Sequence, residues 1–190
     1  MSDLIQDHLS ENQYWMQQAI DLARRGQYST KPNPNVGCVI VKDGKIIGEG
    51  FHPKAGQPHA EVFALRQAGE NAKDATAYVT LEPCAHFGRT PPCAEALVKA
   101  QVKKVVVACS DPNPLVAGKG VKILQDAGIE VETGICDEEA KTLNFGFLKA
   151  MSTGLPYVRL KIASSLDGRT AMASGESKWS TGTASCPDVQ

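Results

Sequence analysis

Three residues of the chain can hold a zinc ion, and a fourth can move protons beside it. His59 lies in Pro58-His59-Ala60-Glu61, Cys84 follows Pro83, and Cys93 follows Pro92. Zinc prefers four-coordination, and a catalytic site uses three protein ligands with water in the fourth place. The metal brings the pKa of that water near neutrality. Glu61 is too close in sequence to His59 to coordinate without strain. It is free instead to carry a proton from the water to a ring nitrogen and a departing amine. The chemistry this predicts is hydrolytic release of ammonia from an amidine-like ring carbon.

A different use of the same residues is a closed, structural zinc site, with Glu61 only a carboxylate at a helix start. Such a site needs a fourth ligand, and His52 and His86 are the candidates nearby. The order H-x-E, then P-C, then a second Cys, is the signature of zinc-dependent deaminases of nucleobase rings. Here the usual short Cys-to-Cys step is replaced by the longer loop Cys84-Ala-His-Phe-Gly-Arg-Thr-Pro-Pro-Cys93.

Elements must bring these pieces together. Ser10 and Gln13 form a capping-box pattern that opens an apolar periodicity running to Arg25, and Gly26 stops it. Lys31-Pro-Asn-Pro-Asn35 excludes helix, because its prolines lack donors and restrict their neighbours. Val36–Val41 and Lys45–Phe51 flank Asp43-Gly44, which predicts a hairpin. A second helix runs from about Ala60 to Gly69, so His59 and Glu61 sit on its first turn, at the positive end of its dipole. Ala77–Leu81 is predicted as a strand, and Pro92 opens a third helix to about Ala100 with Cys93 on its first turn. The β-branched run Val102–Cys109 predicts a buried central strand. Helix over 118–127, strand over 129–133 and a last helix over 138–151 complete the pattern. Alternation of strands and helices after the hairpin predicts an α/β fold with a mostly parallel sheet covered on both faces.

With 190 residues, the chain can bury one sizeable core and part of a second. A net charge of −1 and no basic run argue against nucleic acid as a partner. Met1–Ser10 carries Asp3 and Asp7 and has no apolar centre, so neither a signal peptide nor a membrane anchor is expected and the compartment expected is the cytoplasm. Six cysteines in such a compartment are expected to be reduced, with Cys38, Cys109 and Cys136 as small thiols in apolar surroundings.

The segments Lys31-Pro-Asn-Pro-Asn-Val-Gly-Cys38, His52, His59-Ala-Glu61, Leu81–Cys93 and Ser110-Asp-Pro-Asn-Pro114 resemble the bifunctional riboflavin-biosynthesis deaminase/reductase family along essentially the whole chain. The resemblance implies a cytidine-deaminase-like three-layer α/β/α fold. It implies the substrate 2,5-diamino-6-ribosylamino-4(3H)-pyrimidinone 5′-phosphate, a small molecule deaminated at C2, and a homo-oligomeric enzyme. It places Asn33, His52 and Glu61 against the pyrimidine, and His86, Arg89 and Asn113 near the ribose phosphate. Many members carry Lys where Arg89 stands, so the phosphate contact here is expected to be bidentate. The alternatives from the residues alone are a deaminase of another base, nucleoside or tRNA, or a non-catalytic zinc-stabilised module.

Past Gly154-Leu155-Pro156 the pattern begins again, with a strand predicted over Tyr157–Ala163. This divides the chain into a deaminase domain, 1–152, and an incomplete second domain, 153–190. The second part is similar to the start of the family's dihydrofolate-reductase-like domain, which uses NADPH. The resemblance assigns Ala163 and Trp179 to cofactor contact and Lys161 and Ser177 to substrate contact. Ser180-Thr-Gly and Ser185-Cys-Pro-Asp188 depart from the family's pattern. Reductase activity is therefore expected of the full-length parent and not of these 190 residues.

Overall fold

The computed structural model describes residues 9–85, 92–113 and 116–177. Helix α1 spans Glu11–Arg24 and starts as the sequence dictates: Ser10 Oγ accepts from the Gln13 N–H, and Gln13 Oε1 accepts from the Ser10 N–H. The hairpin follows, with β1 at Gly37–Lys42 and β2 at Lys45–Phe51. Helix α2 is Ala60–Ala68, and a 3₁₀ turn at Gly69–Ala72 leads to β3, Thr76–Leu81. Then come α3 (Cys93–Lys99), β4 (Lys104–Cys109), α4 (Lys119–Asp126) and β5 (Glu130–Thr133).

The sheet order is β2-β1-β3-β4-β5. β1 is antiparallel to both its neighbours, while β3, β4 and β5 are parallel. It follows that β1 alone runs against the other four. The sheet is mixed and, by strand direction, mostly parallel. β4 lies between β3 and β5, and Val105, Val106 and Val107 are fully buried, as its β-branched run requires.

Side-chain alternation divides the core into two layers. Cys38, Ile40, Val79, Val105 and Val107 pack beneath α2, α3 and α4. Val39, Val41, Tyr78 and Val106 face α1 and Ala140 on the opposite side. The layers are α/β/α. Two close approaches make the packing possible. A Cβ on Gly37 would lie 1.9 Å from the Ala19 carbonyl oxygen of α1, and one on Gly50 would lie 2.5 Å from the Ala60 carbonyl oxygen of α2. Both helices therefore rest directly on hairpin backbone.

Two sequence expectations are corrected. The last helix is two helices, α5 (Asp137–Leu143) and α6 (Phe145–Thr153), broken at Asn144 with φ −127°. Periodicity could not reveal this, because the break is made by a side chain bonding to a distant loop. The strand expected over Tyr157–Ala163 is not formed: residues 155–165 carry no ladder among the described residues, and Val158 and Leu160 are about four-fifths exposed. A strand needs a ladder to a second segment, and the described residues form none here.

The chain divides between Tyr157 and Val158 into two compact units. In the second, Ser165 and Arg169 both bond Asp167 in a local turn. No helix among the described residues is long and apolar enough to cross a membrane. The five described cysteines are free. Cys38 and Cys109 are buried as expected, and Cys136 is half-buried.

The close approach of α1 to β1 is testable. Gly37→Ala should lower unfolding stability by about 3 kcal/mol, since overpacked cores must shift backbone or rotamers. An unchanged urea midpoint would show that α1 is free to move off the sheet.

Candidate metal centre and active site

Three separate pieces of chain converge at one end of the sheet. His59 is the N-cap residue of α2, Cys84 lies on the exit from β3, and Cys93 is the first residue of α3. Their ligand atoms all lie within 4.8 Å of one another. His59 Nδ1 is 3.2 Å from Cys93 Sγ and 3.6 Å from Cys84 Sγ. Tetrahedral zinc with ordinary Zn–N and Zn–S bonds sets that N···S edge at about 3.6 Å. The donor set and its spacing fit zinc.

Hydrogen bonds inside the cluster supply the electrostatics. The Cys93 N–H, at the start of α3, donates to Cys84 Sγ at 3.3 Å. The Cys93 thiol is the main cause holding Cys84 down to about 4, and His59 adds to it. The same contact with Cys84, together with burial, pushes the Cys93 thiol up. His59 is raised by its bond to Cys84. The cluster thus concentrates negative charge on sulfur where a divalent cation would sit.

Glu61 lies two residues into the same cluster, on the first turn of α2, and is 3% exposed. Its Oε2 is the one buried side-chain oxygen among the described residues without a hydrogen-bond partner. Burial raises its carboxyl above the usual range, and the neighbouring His59 pulls in the opposite direction. A buried carboxylate oxygen with no protein partner is costly unless something that enters the site satisfies it.

The space in front of it is a cleft of about 460 Å³, lined by His59, Glu61 and Cys84 together with Asn33, His52 and Asn113. His52 is not a fourth ligand. Its Nδ1 donates to the Pro58 carbonyl at 3.0 Å, and Asn33 Nδ2 donates to its Nε2 at 3.1 Å. Both ring nitrogens are occupied, and burial lowers its pKa, which keeps the ring neutral. The ring stands edge-on to His59 at 5.3 Å between centroids.

The structure therefore gathers His59, Glu61, Cys84, Cys93, Asn33, His52 and Asn113 at one cleft. His86, Arg89 and Trp179 lie outside the described residues. Lys161 and Ser177 are exposed and Ala163 is half-buried, all in the second unit. Sequence reasoning missed Gln57, Asp111 and Phe147 as lining residues. Asp111 stood inside the Ser110–Pro114 motif, whereas nothing in α6 marked Phe147. Glu82, one residue past β3, binds the start of α4. Its two oxygens accept from the N–H groups of Asp111, Gly118, Gly120 and Val121 at 3.1 to 3.4 Å.

Zinc retention is the direct check on this donor set. The purified chain should carry about one zinc, and Cys84→Ala or Cys93→Ala should release it, because two remaining ligands do not make a catalytic site. Elemental analysis that finds full zinc in both variants would exclude these ligands.

Comparison with known proteins gives the same answer by another route. Residues 9–109 match the family described as the cytidine and deoxycytidylate deaminase zinc-binding region, and residues 156–190 match the RibD C-terminal domain. The chain is 65% identical over 181 residues to riboflavin biosynthesis protein RibD of Haemophilus influenzae, covering 95% of this chain and 49% of that protein. It superposes on Acinetobacter baumannii RibD with a TM-score of 0.89 at 84% identity, covering 94% of this chain and 50% of that one. The Thermotoga maritima diaminohydroxyphosphoribosylaminopyrimidine deaminase/5-amino-6-(5-phosphoribosylamino)uracil reductase gives a TM-score of 0.88 at 43% identity, covering 94% of this chain and 52% of that one. The chain spans about half the length of the curated relatives it matches. With its zinc-binding region, its fold and its donor set in agreement, the chain belongs to the cytidine and deoxycytidylate deaminase zinc-binding family, as a protein of the RibD type.

Proposed function

We propose that this chain catalyses the hydrolytic deamination of 2,5-diamino-6-ribosylamino-4(3H)-pyrimidinone 5′-phosphate in riboflavin biosynthesis. The observation that carries the proposal is Glu61 Oε2, buried without a partner beside a three-residue zinc donor set and opening on a cleft. A closed structural site would give that carboxylate no task. Such relatives as the Thermotoga maritima protein are named for this deaminase and for the reductase that follows.

When bound by His59, Cys84 and Cys93, zinc supplies the Lewis acidity that makes a water nucleophilic near neutral pH. Glu61 takes one proton from the attacking water and returns it to the ring nitrogen next to C2. The water oxygen bonds to C2. Glu61 then moves the second proton to the amino group, the C2–N bond breaks, ammonia leaves and C2 is left as a carbonyl. Burial suits Glu61 to this task, because it raises the carboxyl above the ordinary range and so favours a group that both accepts and donates a proton. The neutral His52, held by Pro58, orients Asn33, and the Asn33 carboxamide offers hydrogen bonds to the pyrimidine edge beside the His52 ring. Asn113, with His86 and Arg89 on the Cys84-to-Cys93 loop, takes the ribose phosphate.

In the full-length relatives' arrangement the segment from 153 onward opens an NADPH-dependent reductase, with Ala163 and Trp179 at the cofactor and Lys161 and Ser177 at the reductase substrate. The enzyme acts on a small molecule, in the cytoplasm, as a homo-oligomer, with neither nucleic acid nor membrane as partner.

Ammonia release from the phosphorylated substrate tests the reading. Glu61→Ala should cut turnover by roughly 100- to 10,000-fold while zinc stays bound, the range expected for removal of a general acid-base group. Parent-like turnover in that variant would remove Glu61 from the chemistry. Arg89→Ala should raise KM about tenfold or more for the phosphorylated compound and little for its dephosphorylated form, since charge-assisted bonds to phosphate are among the stronger ones. Equal efficiency on both compounds in the parent protein would point to a nucleoside or free-base deaminase.

A further inference from the structure

The loop that carries Asn33 closes a local turn through the Asn33 N–H on the Thr30 carbonyl at 2.9 Å, and needs more to fix it. Pro32 and Pro34 have no N–H, so the segment 31–35 has few donors for a ladder or turn. It is held from another layer of the fold. Asn144 Oδ1 accepts from the Asn35 N–H at 2.7 Å, and Asn144 Nδ2 donates to the Asn35 carbonyl at 2.9 Å. The carboxamide thus does for Asn35 what a neighbouring strand would do. The Asn35 side chain completes the clamp: Nδ2 donates to the Leu143 carbonyl at 2.9 Å, and Oδ1 accepts from Thr30 Oγ1 at 2.7 Å. Thr30, Asn35 and Asn144 are all buried, at 1%, 9% and 4% exposure, so water does not compete for these bonds.

The clamp reaches the cleft on two sides. Asn35 is two residues from Asn33, which bonds His52 Nε2. Phe147, one turn beyond Asn144 in α6, lines the same cleft as Pro32, Asn33 and Pro34. Asn144 is also the residue at which α5 and α6 separate, with its N–H on the Lys141 carbonyl and its carbonyl accepting from the Leu148 N–H. A continuous helix would be better for local hydrogen bonding. The break places the carboxamide on Asn35.

We propose that Asn144 is a positioning residue for substrate recognition, acting through Asn35 to hold Asn33 against His52. The inference rests on the reading of Asn33 and His52 as the groups that face the pyrimidine. Losing the clamp frees the proline loop, and misplacement by a fraction of a side-chain length is enough to be felt at a binding edge.

The test is a double-mutant cycle on the zinc-loaded chain. Asn144→Ala should raise KM for the phosphorylated diaminopyrimidine on the order of tenfold, with a smaller effect on kcat and zinc unchanged. In an Asn33→Ala background the same substitution should change kcat/KM by no more than about twofold, the limit within which unlinked effects are told from linked ones. Thr30→Val should act in the same direction more weakly, and it carries the cycle if Asn144→Ala fails to fold. The ¹⁵N signal of His52 Nε2 should move alike in Asn144→Ala and Asn33→Ala as its hydrogen bond is lost. Full multiplicative loss in the Asn33→Ala background, or an unmoved His52 signal in Asn144→Ala, would overturn the proposal. If the parent protein releases no ammonia from this compound, the substrate reading fails, and the His52 signal still decides the positioning role.

Discussion

The convergence of His59, Cys84 and Cys93 within 4.8 Å is the constraint that the rest of the molecule serves. These residues come from two helix starts and one strand exit, separated by 25 and 9 positions along the chain. Parallel pairing of β3 with β4 and placement of α2 and α3 on the same face bring them together. Helix N-termini at the donor set have a direct benefit: the Cys93 N–H, at the start of α3, points at the Cys84 sulfur. Hairpin glycines keep α1 and α2 seated on the sheet, so the ligands do not depend on flexible side chains for their separation.

Two buried glutamates show how environment assigns work to one residue type. Glu82 is 4% exposed and accepts four backbone N–H groups at and before α4. Hydrogen bonds to a charged acceptor are each worth about 1.5–3 kcal/mol, so together they offset the several kcal/mol that burying a carboxylate costs. Glu61 is as deeply buried and has an oxygen with no partner. A saturated carboxylate holds structure. An unsaturated one beside a metal donor set is open to a partner that enters the cleft, the feature on which the proposed function rests.

A third buried polar group, Asn144, links the far layer to the cleft. Its bonds to Asn35 cross from α5 and α6 to a loop in which two prolines lack an N–H. The cleft is accordingly built on one side by rigid helix starts and on the other by a loop whose position is borrowed from a side chain more than 100 residues away.

Much of this was legible beforehand, for reasons that differ by residue. The convergence of His59, Cys84 and Cys93 was readable because metal ligation demands particular donors at particular element ends, and Pro83 and Pro92 mark those ends; Glu61 was placed beside them by its position on the first turn of α2. The capping box, the Asp43-Gly44 turn and the valine run of β4 were readable because each depends on neighbours in sequence. Tertiary structure alone decided the break at Asn144, the partners of Glu82, and the place of Phe147 on the cleft wall. In each case the deciding contact joins residues far apart in the chain, and local periodicity carries no record of it. The segment beyond Tyr157 makes the same point from the other side: its sequence has the composition of a strand, but a strand exists only when another chain segment accepts and donates its hydrogen bonds.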